Sequence, residues 1–146
     1  MSFGASWASG GNYRIDLVRT IAWVRVWKRP DLSREEGSAL AQQKVKLLQQ
    51  LAAGPRSMAK ALLLDLSAAP TSWGPVTEAA LAEILAAWEA AGRRVAVLLA
   101  EDPVQGVLVR PLLKKAAPHM ARSFHSEAEA LDWSVHGDHG DHGRVP

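Results

Sequence analysis

Cysteine is absent from the 146-residue chain. Disulfides, thiolate zinc sites and cysteine nucleophiles are thereby excluded by chemistry, and a reducing compartment is permitted. Long apolar runs are missing as well. A membrane-spanning helix needs about 20 apolar residues, yet even the stretch from Ala61 to Leu66 is interrupted by Asp65 and followed by Ser67. Residues 1–12, MSFGASWASGGN, carry neither the basic nor the apolar region of a secretory signal and are expected to form a flexible lead-in. No dense basic block appears. The formal charge is +2, and Arg14, Arg19, Arg25, Arg93, Lys114 and other cations are scattered along the chain, which argues against a nucleic-acid footprint. A glycine-rich phosphate loop is absent too, because Gly10-Gly11 precedes the first strand and has no lysine in the required setting. These absences lead us to expect a cytoplasmic protein with no cofactor, no nucleic-acid partner and no membrane insertion.

What is present reads as one α/β domain over residues 13–134, followed by a flexible tail over 135–146. Tyr13 to Val18 and Ile21 to Trp27 are rich in β-branched and aromatic residues, are separated by Arg19-Thr20, and predict an antiparallel hairpin. After Pro30-Asp31, Ser33-x-x-Glu36 has the spacing of a capping box. Leu40, Ala41, Val45, Leu48 and Leu51 then recur at helical spacing until Gly54-Pro55. Ala59 to Leu66 and Arg94 to Ala100 have the nearly continuous apolar character of strands buried on both faces. Between them, Val76 to Ala91 predicts an amphipathic helix with Pro75 in its first turn and Gly92 at its end. Val104 to Ala116 predicts a further helix, kinked or interrupted at Pro111. Met120 to His125 predicts an edge strand, and Ser126-x-x-Glu129 opens a last helix through Trp133. The expected order is β-β-α-β-α-β-α-β-α, a mixed, mostly parallel sheet with helices mainly on one side.

This order, with Leu62-Leu63-Leu64-Asp65-Leu66-Ser67, Arg94-Val95-Ala96-Val97 and Phe124-x-Ser126-x-x-x-Ala130-x-x-Trp133, resembles the STAS superfamily of sulfate transporter and anti-sigma factor antagonist domains, and the related SpoIIAA-like proteins. The resemblance extends over residues 13–133 and implies a regulatory protein-interaction module. In the antagonist branch, an Asp-Ser-Ser-Gly-like segment after the central strand carries a serine phosphorylated by a partner kinase. The matching segment here is Thr71-Ser72-Trp73-Gly74, in which Thr71 stands at the aspartate and Trp73 at the phosphoacceptor. Ser72 or Thr71 is then the candidate acceptor, since a phosphate at a helix N-terminus meets free amides. The alternative is that these hydroxyls cap the helix.

Other candidate chemistry is thinner. Ser57-x-x-Lys60 has the spacing of a penicillin-binding nucleophile but falls across a loop and a strand start, where residues three apart point to opposite faces. His136, His139 and His142, with Asp138 and Asp141, are metal-ligand types in the glycine-containing tail, weighed against a disordered end. His119 and His125 have no nucleophile or carboxylate at a catalytic spacing. Asp65, Glu101 and Asp102 fall at strand C-termini, where α/β folds place ligands, although turn and cap roles account for them better. Trp23, Arg25 and Trp27 alternate along one strand and share a face. With Trp73 they are the expected interaction surface, for a regulator, an anti-sigma factor, a kinase-like partner or a second copy, unless the same chain covers them.

The functional expectation is a non-catalytic regulatory interaction module. Its alternatives are a phosphorylation-controlled switch at Ser72 or Thr71 and a carrier of a small apolar ligand such as a lipid, for which a buried apolar cavity is the signature.

Overall fold

In this computed structural model the described residues are 5–70 and 74–137. The chain runs β1 (Ala5–Ser9), β2 (Tyr13–Val18), β3 (Ile21–Trp27), α1 (Arg34–Ala53), β4 (Ala61–Ala68), α2 (Pro75–Ala90), β5 (Arg94–Leu98), α3 (Pro103–Ala116), β6 (Ala121–Phe124) and α4 (Glu127–His136). The six strands lie side by side in chain order. β1, β2 and β3 pair antiparallel, and each pairing from β3 to β6 is parallel.

Consecutive parallel crossovers that step in one direction place their helices on one face, given the right-handed rule for such connections. Accordingly α1, α2 and α3 pack together over Ala22, Val24, Leu62, Leu64, Val95 and Val97. No crossover constrains α4, which follows the last strand. It covers the opposite face, where Ala130 and Trp133 meet Ile21, Trp23, Ala61, Leu63, Ala96 and Leu98.

Local signals explain three of the helix starts. Ser33 Oγ accepts from Glu36 N at 3.1 Å while Glu36 Oε1 accepts from Ser33 N at 2.8 Å, so both halves of the capping box form at α1. Ser126 Oγ likewise accepts from Glu129 N at α4, at 3.3 Å. Asp102 caps α3 through Val104 N at 2.8 Å.

Three expectations are corrected. Ala5–Ser9 is an edge strand and not part of a flexible lead-in. A register shift between Ser6 and Ala8 breaks the strand's period of two, and both Trp7 and Ala8 pack against the core, so no alternation is visible in the sequence. Helix α3 runs through Pro111 without interruption. The carbonyl that Pro111 deprives of a partner belongs to Val107, whose exposure of 69% lets water replace the lost bond. Finally, the last helix extends to His136, past the expected domain end at 134.

The β2–β3 turn stores strain. Arg19 and Thr20 have φ of 55° and 64°, the left-handed region that a β-branched residue strongly disfavours. Thr20→Gly is therefore expected to stabilise the domain by about 1 kcal/mol and raise its melting temperature by a few degrees in thermal unfolding followed by circular dichroism.

Candidate functional site

A cleft of about 720 Å³ lies between the N-terminal halves of α1 and α2, over the C-terminal ends of β3 and β4. That end of a parallel sheet is where open α/β folds usually receive ligands. From α1 the wall is Arg34, Gly37, Ser38, Ala41 and Lys44, which recur at i, i+3, i+4, i+7 and i+10 and so share one face. Val76, Thr77, Ala80, Leu81 and Ile84 form the α2 wall in the same way, and Val26, Leu64 and Leu66 are the floor. The space exists because the facing α1 residues are small: a Cβ placed on Gly37 would meet nothing within 4 Å.

The polar groups of the cleft are few and unbalanced. Among its described lining residues the only charged side chains are Lys44 and Arg34, both cationic. Lys44 is half-buried, and its Nζ lies 5.6 Å from the centre of the Tyr13 ring. No carboxylate forms an ion pair with it among the described residues, and loss of water lowers its pKa to about 8. The Tyr13 hydroxyl donates to Gln43 Oε1, and burial raises its pKa above the usual value. Asn12, at the β1–β2 turn, also lines the cleft; its Oδ1 is buried and has no hydrogen-bond partner among the described residues. Arg29, bound to the neighbouring Gly11 carbonyl at 2.8 Å, is by contrast neutralised by Asp31.

Compared with known proteins, the chain matches no family model, no curated protein and no solved structure. The cleft must therefore be read from its own chemistry.

The sequence-derived candidates fall elsewhere. Trp23 is buried at 2% exposure beneath the α4 side of the sheet, which corrects its assignment to an open interaction surface. The Arg25 guanidinium stacks 4.3 Å from the centre of its ring and reaches Asp16 at 3.3 Å. Trp27 is half-buried. Thr71, Ser72 and Trp73 lie outside the described residues, and the N-cap of α2 is Gly74, with no side-chain cap bond. His136 stands 3.8 Å from Asp132 on α4, while His139 and His142 lie outside the described residues. No cluster of metal-ligating side chains occurs among the described residues.

His119 has a partner that spacing did not reveal. Its Nδ1 is 2.7 Å from Glu89 Oε2, and its backbone N–H and that of Met120 donate to Glu89 Oε1. Desolvation opposes ionisation of Glu89, but these bonds prevail and hold its carboxyl below the usual pKa. His125 contacts Arg110 at 3.1 Å. Asp65 turns away from the cleft and accepts from Ser67 N and Oγ at 2.9 and 2.6 Å, a turn role.

Lys44, Arg34 and Asn12 escaped the sequence reading. The signal for Lys44 was present: three residues after Ala41 and four before Leu48, it lies on the apolar stripe of α1.

Proposed function

We propose that this chain is a non-catalytic, cytoplasmic STAS-like regulatory domain that acts by holding a small apolar ligand between α1 and α2. The observation that carries this reading is the cleft itself. Its volume falls within the roughly 300–1,000 Å³ of small-molecule sites, and its walls and floor are mostly aliphatic. The absence of any carboxylate or imidazole among the described lining residues supports binding over acid–base turnover.

Nile red, a neutral apolar dye, is expected to bind the purified protein with a blue-shifted emission at one dye per chain. Gly37→Trp should fill the open space at the α1 wall, keep the circular dichroism spectrum and abolish the dye signal. Undiminished dye binding by a folded Gly37→Trp variant would refute the carrier reading.

A second reading, a surface for a protein partner, has its own observation. Val104, Val107 and Leu108 stand 53%, 69% and 39% exposed along one side of α3. Such an apolar stripe at helical spacing suits a protein contact better than solvent. Among the described residues no helix is long and apolar enough to cross a membrane.

A further inference from the structure

The composition of the cleft says more than that it is apolar. We infer that its ligand is an amphipathic carboxylate, an aliphatic chain ending in one carboxyl group, with that group seated against Lys44 and the chain lying over Leu64, Leu66 and Ile84. This inference rests on the carrier reading and adds the head group to it.

The first support is charge. Lys44 and Arg34 are the charged side chains among the described lining residues, and no described acidic residue lines the cleft with them. A cation held among aliphatic walls without a counter-ion is unfavourable, because an ammonium loses water there and gains only the face of the Tyr13 ring in exchange. At neutral pH Lys44 still carries its proton, since its depressed pKa of about 8 lies above pH 7. An incoming carboxylate supplies the missing counter-ion. One interior ammonium matches a carboxylate's single charge better than a phosphate dianion's double charge, and exposed Arg34 at the start of α1 favours entry of an anion.

The second support is independent of charge. Asn12 Oδ1 is buried in the lining and lacks a hydrogen-bond partner among the described residues, which normally calls for a ligand or water. A water held beside the head group, donating one hydrogen to Asn12 Oδ1 and the other to the carboxylate, satisfies it. The aliphatic floor and the α2 wall then exclude water from the chain, as an alkyl tail requires.

The inference has a pH signature. The groups facing Lys44 are the Tyr13 ring from β2, Asn12 from the turn before it, Arg34 on its own helix, and uncharged residues of α2. Tyr13 titrates above its usual range and arginine remains charged, so Lys44 is the group that changes between pH 7 and pH 10. A bound carboxylate favours the ammonium, so the Lys44 pKa rises on binding. Affinity is then full below pH 8 and falls as pH climbs past it, whereas a neutral ligand is indifferent to this change.

The test is displacement of Nile red by laurate and by lauryl alcohol, which share a tail and differ in the head. The wild type is expected to bind laurate at least tenfold tighter than lauryl alcohol at pH 7. Lys44→Met should remove that preference and leave the alcohol unchanged, and Lys44→Arg should retain most of it. Laurate affinity should drop between pH 8 and pH 10 in the wild type only. Lys44→Met removes a half-buried, unpaired charge and is expected to melt no lower than the wild type, so loss of binding will not reflect unfolding. Equal affinity for laurate and the alcohol, with Lys44→Met altering neither, would overturn the head-group inference and leave the carrier reading standing. If the wild type binds neither the dye nor either ligand, both fall together.

Discussion

Substituting glutamate for Trp23 is expected to unfold the domain, with a loss of at least about 4 kcal/mol, whereas the same change at Trp27, two residues along, should cost about 1 kcal/mol. The two indoles belong to one strand, but their surroundings differ. Trp23 is 2% exposed and packs with Ile21, Leu63, Leu98 and the Trp133 side of α4. A carboxylate there must either lose its water or pull the sheet from the helix. Trp27 lies past a register shift in β3 and is half-buried, so a carboxylate can turn outward. Urea denaturation followed by circular dichroism separates the outcomes. A folded Trp23→Glu protein of wild-type stability and lower assembly mass would instead restore this face as an interface between copies.

Arg93→Met is expected to cost about 3 kcal/mol and lower the melting temperature by about 6–12 °C. Arg93 begins just after Gly92, yet its guanidinium serves the far end of α1. Nη1 donates to Leu51 O at 3.0 Å and Ala59 O at 2.8 Å, and Nη2 donates to Gly54 O. Helix α1 has no basic residue in its last turn. Its negative end is therefore completed by a cation from another part of the chain. Burial lowers the Arg93 pKa and the nearby Arg56 adds to the effect, but an arginine stays charged throughout. Methionine fills the stem's volume and leaves three carbonyls without this donor. Lysine carries its three donors on a single nitrogen and cannot reach carbonyls that the guanidinium meets from two nitrogens, so Arg93→Lys should recover only part of the loss. A Met variant within 0.5 kcal/mol of the wild type, about the experimental spread for surface changes, would sink this account.

Much of the architecture was legible because its signals are local. The hairpin of β2 and β3, the box at Ser33 and Glu36, and the apolar runs of β4 and β5 depend on neighbours a few residues apart. Strand β1 was hidden because its bulge cancels the alternation on which a strand is recognised. Pro111 does not end its helix, because a proline's effect depends on whether the carbonyl it orphans meets water. Gln105 was invisible as a structural residue: wholly buried, it donates to Leu66 O at 2.8 Å and accepts from Ala100 N at 2.7 Å, tying the ends of β4 and β5. No spacing along the chain announces such a bridge.

The candidate site was legible only in part. A helix with a lysine on its apolar stripe can be read from residues 41–48. That the stripe faces a space, and that no described carboxylate lines that space, depends on where α2 is laid against α1.

By itself the sequence determined the elements, their order, the hairpin and the caps, since each is decided by backbone preferences and side-chain periodicity within a few residues. The tertiary structure alone decided that α4 crosses to the second face and buries Trp23, that Arg93 completes α1, and that Lys44 stands in an aliphatic cleft without a described counter-ion. Burial, desolvation and ion pairing depend on distances between residues remote in sequence, and those distances exist only once the sheet has brought them together.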